Sequence, residues 1–229
     1  MFPFVMPMSG LVGGSGSAAV LSFSLRGSAS SSGSTITTPS NTVAGDLIVY
    51  AEFARNSDAA VAPTTVIPTA YTAIGSSLSA TAGAEGWRLN VAYKIADSGD
   101  ASTSKTGMND NYMNKVMLVF NPGTTILTTT LSTPNAEITA GDAALQTVLA
   151  SGQPTPLMVF RVIASPTNSY GYTAYSPADD GSGGSAQALN SVQVGYKFYN
   201  SGSTPADCTI NITDSGAMNA AFSWYMRFT

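Results

Sequence analysis

Few residue types in this sequence can carry out chemistry. Its 229 residues include no histidine and a single cysteine, Cys208. The absence of histidine removes the usual general base near neutral pH and the commonest metal ligand, and it excludes Ser-His-Asp and Cys-His catalytic arrangements. One cysteine is too few for an intrachain disulfide or a zinc site. We therefore predict a non-enzymatic protein with no catalytic residue, no cofactor and no bound metal.

The acidic residues leave two oxygen-based sites open as alternatives. Two carboxylates from distant strands could hydrolyse glycosides, although thirteen acidic residues supply many such pairs by chance. The turns Asp97-Ser-Gly-Asp100 and Asp179-Asp180-Gly181 have the composition of loops that gather oxygen ligands for calcium. Acidic turns of this kind are usually only turns, and the spacing of an EF-hand is absent.

The lone cysteine fits a structural role better than a reactive one. Cys208 alternates with Ile210 and Ile212, which places the three residues on the same face of a strand. A buried thiol is the favoured interpretation, and a reactive thiol or an interchain link is the alternative.

Charge is sparse along the whole chain. Only 10% of the residues are charged, against about 25% in an ordinary soluble domain, and the net charge is −4. The nine basic residues are scattered, so we predict no nucleic-acid binding. No charge precedes Arg26, and Pro3 and Pro7 interrupt the apolar start, so we expect neither a signal peptide nor membrane insertion.

The pattern of apolar residues is that of β-strands. Apolar and polar residues alternate in three segments, 88–95, 191–198 and 222–228. Such alternation is typical of half-buried antiparallel strands. Continuous apolar runs at 47–50, 116–120 and 157–160 are typical of central strands that are covered on both faces. We predict an all-β fold, an antiparallel β-sandwich of jelly-roll-like type.

This pattern also predicts which side chains are buried. The predicted core contains Leu47, Val49, Val91, Tyr93, Val119, Val159, Val194, Tyr196, Phe222 and Trp224. One segment, 143–150, has helical periodicity instead, with Asp142 as its N-cap and Gly152 after its end, and it predicts a single short helix.

The two halves of the chain resemble each other. Asp46-Leu-Ile-Val-Tyr50 begins one series of strands and Pro156-Leu-Met-Val-Phe160 begins a second. The closest match joins residues 91–99 to residues 194–202. Chance similarity between amphipathic strands is the alternative to a duplication. Two such halves would share one sandwich, because each alone has only about four strands.

The N-terminal segment is the first candidate site. We predict an extended arm and first strand at 1–25, followed by one sandwich domain at 26–229 with halves at about 35–122 and 155–229. A hinge at 13–16, rich in glycine, follows the apolar residues of the arm. Those arm residues are Met1, Phe2, Phe4, Val5, Met6, Met8, Leu11 and Val12. We expect the arm to bury its apolar surface against a neighbouring subunit; folding back over its own sandwich is the alternative.

The second candidate is a segment rich in tyrosine. Tyr170, Tyr172 and Tyr175 stand among Ser, Gly and Asn residues, a composition typical of antibody-like contact loops. This segment could recognise a host receptor or a surface glycan. The alternative, which we favour, is that some of these tyrosines belong to a strand and pack on the sandwich.

Four blocks of sequence carry a resemblance to a known group. They are Ala44-Gly-Asp-Leu-Ile-Val-Tyr50, Tyr71-Thr-Ala-Ile74, Arg88-Leu-Asn-Val-Ala-Tyr-Lys-Ile-Ala-Asp97 and Asn114-Lys-Val-Met-Leu-Val-Phe120. Together they resemble a recurrent β-sandwich domain of tailed-bacteriophage virion proteins, including tail-fibre and other particle-surface polypeptides. The resemblance covers about residues 35–122, with a weaker echo at 155–229. It implies display on a virus particle, often as a symmetric oligomer, and it transfers no catalytic residue.

From this resemblance we expect a structural protein of a phage virion. It would be a capsid decoration, a spike or a tail-associated component that assembles through its strand edges and its N-terminal arm. Its partners would be other virion proteins and copies of itself, with a trimer favoured. It would be made in the host cytoplasm and reside in the virion. A receptor- or glycan-binding module that uses residues 170–175 is the alternative.

Overall fold

The computed structural model describes residues 21–126, 128–140, 143–148, 150–165, 172–176, 179–187, 190–212 and 218–229. These residues form β-strands and contain no helix, and hence no helix that could cross a membrane. The strands are β1 (Ser24–Ser31), β2 (Thr35–Thr37), β3 (Leu47–Asn56), β4 (Thr72–Ala73), β5 (Leu78–Ala82), β6 (Glu85–Ile95), β7 (Ser104–Thr106), β8 (Tyr112–Asn121), β9 (Thr129–Leu131), β10 (Asn135–Ala140), β11 (Ala143–Val148), β12 (Leu157–Ser165), β13 (Tyr172–Ser176), β14 (Gly181–Gln187), β15 (Asn190–Tyr199), β16 (Cys208–Ile212) and β17 (Met218–Phe228).

Four antiparallel sheets contain these strands. Sheet I has the order β1-β8-β3-β6-β4, with β5 also paired to β6. Sheet II has the order β10-β17-β12-β15-β14, with β9 also paired to β17. The two smaller sheets are β11-β16-β13 and β2-β7. Sheet I therefore comes from the first half of the chain, and sheet II from the second.

Sheets I and II pack face to face around one hydrophobic core. The largest core cluster contains inward-facing side chains from β3, β6 and β8 of sheet I and from β12, β15 and β17 of sheet II. Aromatic rings join the sheets at its centre, where Phe120 makes edge-on contacts with Phe160 and Tyr196 at centroid distances of 5.8 and 4.8 Å. The predicted all-β fold and antiparallel sandwich are confirmed; a jelly-roll connection stays a prediction.

Both central strands are covered on their outer faces as well. Ile48 and Tyr50 of β3 belong to a second cluster, on the side of sheet I away from the core. Leu157 and Val159 of β12 belong to a third cluster, on the outer side of sheet II. The continuous apolar runs are therefore explained by burial on two faces, as the sequence predicts.

The predicted core residues are buried with one partial exception. Nine of the ten are buried, and Tyr93 is half-buried at the margin of the core. Val119 and Val159 lie in the outer clusters instead of the central one. The alternation of Phe222, Trp224, Met226 and Phe228 toward the core is confirmed, so the predicted register is correct.

The helix predicted at 143–150 is wrong. Residues 143–148 form β11, which pairs antiparallel with β16, at least 60 residues further along the chain. Helix propensity is a weak local preference of tenths of a kcal/mol per residue, and hydrogen bonding to a neighbouring strand overrides it here.

The two halves have the same strand order. The strands β1-β8-β3-β6 of sheet I correspond, in this order, to β10-β17-β12-β15 of sheet II. Each half also has a short strand pair, β2-β7 or β11-β16, whose first strand precedes the central strand along the chain and whose second precedes the last long strand. The match of 91–99 with 194–202 agrees with this order. The series that begin at Asp46 and Pro156 are offset by one residue, because Val49 corresponds to Phe160. Equivalent rungs are Tyr93–Val49–Leu118 in sheet I and Tyr196–Phe160–Trp224 in sheet II.

Candidate functional site

A cap covers the outer face of sheet I. We define the cap as β2, β7 and the loop at residues 61–71. Ile36 of β2 is 2% exposed and packs on the outward-facing side chains of β3 and β8, while Ile67 and Tyr71 pack on the same cluster from the loop. Apolar burial therefore holds β2 and the loop of the cap on the sheet.

A buried ion pair fixes the cap in place. Lys115 of β8 and Glu52 of β3 are fully buried, with 2.9 Å between Lys115 Nζ and Glu52 Oε1. The same ammonium group donates to the carbonyl oxygens of Gly33, at 2.8 Å, and Met108, at 3.0 Å. The buried ammonium group thus has two carbonyl acceptors and a carboxylate that neutralises its charge, as a buried lysine requires. These bonds tie the β1–β2 turn and the segment after β7 to the sheet.

The ion pair is sealed from solvent. Tyr50 donates a hydrogen bond of 2.6 Å to Glu52 Oε2. Burial, reinforced by the Glu52 charge, raises the pKa of Tyr50, and burial raises the pKa of Glu52 even though Lys115 and Tyr50 oppose that shift. A Cβ atom on Gly107 would lie 2.6 Å from both Glu52 Oε1 and Lys115 Cε, so only glycine fits there. This cluster is closed to a substrate, and its role is to position the cap.

A second charged cluster holds the start of β7. Asp100 accepts from Lys105 Nζ at 2.7 Å through one carboxylate oxygen and contacts Lys94 Nζ at 2.7 Å through the other. The backbone N–H of Asp97 also donates to Asp100, at 2.7 Å. Burial alone would raise the pKa of Asp100, but the hydrogen bonds from Lys105 and Lys94 lower it to about 2. The charge of Lys105 on β7 is thereby neutralised.

An open groove runs along the outer edge of β7. Its volume is about 290 Å³, and we call it the β7 groove. Residues 66–69 of the cap loop form one wall, and Ser104, Lys105 and Thr106 form the other. The loop wall includes the apolar side chains of Val66 and Ile67, whereas Ser104 and Thr106 are exposed.

A smaller cavity lies under residues 65–77. Its volume is about 110 Å³, below the 300 Å³ of an ordinary small-molecule site. Asn90 lines it, is 1% exposed, and has no hydrogen-bond partner for Oδ1 within the described part of the chain. Arg88 Nη1 donates to Thr65 and Ser77 at its rim, both at 2.7 Å. This cavity suits a few water molecules better than an organic ligand.

The second half of the chain buries its own charged pair, two residues along the central strand from the position equivalent to Glu52. Arg161 of β12 is fully buried and forms an ion pair with Asp179, whose side chain is 9% exposed. Asp179 lies over Gly195 so closely that a Cβ atom there would overlap the carboxylate. Arg161, Gly195 and Ser223 form the rung that is equivalent to Tyr50, Ala92 and Met117 in sheet I.

The two acidic turns singled out in the sequence bind cationic side chains. Asp97 and Asp100 pair with lysines, and Asp179 pairs with arginine. Among the described residues, no group of three or more Asp, Glu, Cys or His side chains could hold a metal ion.

The sequence candidates lie away from this cap or outside the described residues. The arm residues Met1 to Val12 and Tyr170 fall outside the described part of the chain. Tyr172 and Tyr175 lie in β13, which pairs with β16, so their backbone is strand as the favoured alternative predicts. Recognition of a receptor or glycan by this segment stays a prediction.

Sequence reasoning did not find the residues that build the cap. Glu52 follows one buried apolar run and Lys115 precedes another, and charges at such positions are the signal that could have found them.

Comparison of the chain with family models, curated proteins and solved structures gave no significant match.

Proposed function

We propose that this protein is a structural component of a phage virion, such as a capsid decoration, a spike or a tail-associated component. It acts by assembly: strand edges and the N-terminal arm bury surface against copies of the chain and against other virion proteins. The resemblance of residues 35–122 to virion surface domains supports the viral context. The geometry of the sandwich edges supports assembly.

The observation that carries the proposal is a lateral face made of two nearly uncharged edge strands. β1 ends sheet I, β14 ends sheet II, and the two strands contact each other. They contain a single charged residue, Arg26, which pairs with the buried Asp46 at 2.7 Å. Monomeric proteins usually protect such edges with exposed charges or prolines, because an unprotected edge pairs with other strands. This face is therefore suited to contact a neighbouring subunit.

The distribution of charge in the interior agrees with a structural role. The fully buried Glu52, Lys115 and Arg161 all take part in ion pairs that hold one segment of the fold on another. In the described residues, each of these groups is buried within the fold and lines none of the cavities described above.

Deletion of residues 1–12 tests the proposal. We expect the full-length chain to form a concentration-dependent oligomer in analytical ultracentrifugation and to be incorporated into particles. The truncated chain should keep its melting temperature within about 4 °C, because the sandwich core is untouched, but it should remain monomeric and be absent from particles. Antibody labelling of negatively stained particles gives the second readout.

A full-length control separates the length of the arm from its apolar character. In this control all eight apolar residues of the arm are replaced by serine, and we expect the same loss of assembly as on deletion. A truncated chain that assembles normally but melts far lower would mean that the arm packs on its own sandwich. The proposal would then be wrong in its mechanism.

A further inference from the structure

Among the described residues, no strand pairs with the outer edge of β7. In the β2-β7 sheet, the N–H of Thr38 donates to Thr103 and the N–H of Gly107 donates to Ser34, at 2.9 and 3.0 Å. Hydrogen-bonded residues alternate along an antiparallel ladder, so Thr103, Lys105 and Gly107 face β2. The N–H and C=O groups of Ser104 and Thr106 therefore point away from β2, into the β7 groove.

The second half of the chain fills the equivalent position with a strand. β16 is the counterpart of β7. β7 precedes β8 and pairs with β2, and β16 likewise precedes β17 and pairs with β11. β16 is paired on both edges, to β11 on one side and to β13 on the other. In the first half, β4 pairs with β6 instead, and the outer edge of β7 faces the open groove.

We propose that the β7 groove receives an extended segment of the N-terminal arm of a second copy, which adds to β7 as a third strand. This inference rests on the assembly function proposed above and assigns a site to it. Strand addition of this kind supplies affinity through main-chain hydrogen bonds and selectivity through side-chain contacts.

The chemistry of the groove matches that of the arm. β13, the strand that occupies the equivalent edge, has the uncharged sequence Tyr-Thr-Ala-Tyr-Ser. The arm is also uncharged, and its residues 8–12 contain no proline, so they offer consecutive N–H donors to a ladder. Val66 and Ile67 line the groove and are half-buried, and Asp100 already neutralises Lys105. A groove of about 290 Å³ has room for a few residues, in keeping with the three-residue length of β7.

The direction of approach favours the arm of a neighbour over the chain's own arm. The chain enters the sandwich at Ser22, which bonds to Pro122 beside the β1–β8 edge of sheet I. β2 packs near β1 and β8, and the groove lies on the far side of β7, toward the loop that leads into β4. The described chain thus begins on the β1–β8 side of the cap, with β2 and β7 between its start and the groove, and this placement favours the arm of a neighbour as the occupant.

Proline substitutions on β7 test this site in the full-length chain. The double variant Ser104→Pro, Thr106→Pro removes the two outward N–H donors and leaves the hydrogen bonds to β2 in place. We expect the dissociation constant of the oligomer in analytical ultracentrifugation to rise about tenfold or more. Thr37→Pro is the matched control, because Thr37 lies on the opposite edge of the same two-stranded sheet and its N–H points away from β7; this variant should assemble normally.

The outcomes separate this inference from the proposed function. A wild-type oligomer that survives the double substitution unchanged would overturn the β7 site and leave assembly standing. A wild-type chain that stays monomeric at every concentration would overturn both. Assembly by the wild type and by Thr37→Pro, with loss in the double variant, would support the site.

Amide hydrogen exchange gives a second readout that needs no substitution on β7, should the double variant fail to fold. In the wild-type chain, the amides of Ser104 and Thr106 should exchange fast in dilute monomer and become protected in the oligomer. The protection should disappear when residues 1–12 are deleted. Fast exchange of both amides in the assembled wild type, or protection that does not depend on protein concentration, would overturn addition of a neighbour's arm.

Discussion

Asp97 and Asp100 contact the same lysine, Lys94, but differ in burial. The side chain of Asp100 is 3% exposed and that of Asp97 is 77% exposed. Ion pairs at exposed positions contribute about 0–1 kcal/mol, because water and salt screen the charges. The buried carboxylate also binds Lys105, so it is the member of the pair that stabilises the loop before β7.

This difference predicts a pH-dependent loss of stability on Asp100→Asn. The pKa of Asp100 is lowered to about 2 in the folded chain from 3.8 as the ordinary value, so its carboxylate stabilises the fold above pH 4. That contribution, about 2 kcal/mol, is lost as the pH falls from 4 to 2. Urea unfolding at pH 7 should therefore show a loss of about 2 kcal/mol for the variant, and none near pH 2.

Asp97→Asn is the matched control for this measurement. Its carboxylate shares Lys94 but stays in water, so the free energy of unfolding should change by less than about 1 kcal/mol at any pH. Equal losses in the two variants, or a loss for Asp100→Asn that persists at pH 2, would contradict the assignment of the stabilisation to the buried carboxylate.

At the scale of elements, the strands are encoded locally and the cap is not. Side chains alternate along a strand with a period of two, so 88–95 and 222–228 reveal their strands from a few residues. Lys115 instead binds the carbonyl of Gly33, 82 residues earlier in the chain. No local pattern encodes such a contact, and the pairing of β11 with β16 escaped prediction for the same reason.

The segment that enters β14 gives a prediction at this scale. Asp179 and Asp180 are neighbours, but Asp179 pairs with the fully buried Arg161, whereas Asp180 pairs with Lys197 near the surface. Asp179→Ala removes the carboxylate from a buried guanidinium, which costs about 3–5 kcal/mol. Asp180→Ala should cost about 1 kcal/mol or less. Chemical denaturation followed by circular dichroism measures both, and comparable losses would show that Arg161 does not depend on Asp179.

At the scale of the molecule, the two halves of the chain share one hydrophobic core. Their long strands follow the same order, and the side chains of both inner faces form one cluster. The buried charges are specific to each half, since the rung of Glu52 and Lys115 in sheet I corresponds to Ile163 and Ala221 in sheet II. The shared framework is thus the apolar interface between the sheets, and the differences lie in how each outer face is covered.

This architecture predicts that the halves remain associated after the connection between them is cut. Thr125 is exposed and lies between the last strand of sheet I and the first strand of sheet II, so a protease site can be inserted after it. Separation would expose the inner faces, where Phe120, Phe160 and Trp224 each gain about 1.5–3 kcal/mol from burial. The cleaved protein should therefore elute in size-exclusion chromatography with the uncleaved insertion variant, and its halves should separate only in denaturant. Halves that elute apart under native conditions would mean that each sheet is stable alone and that the chain contains two domains.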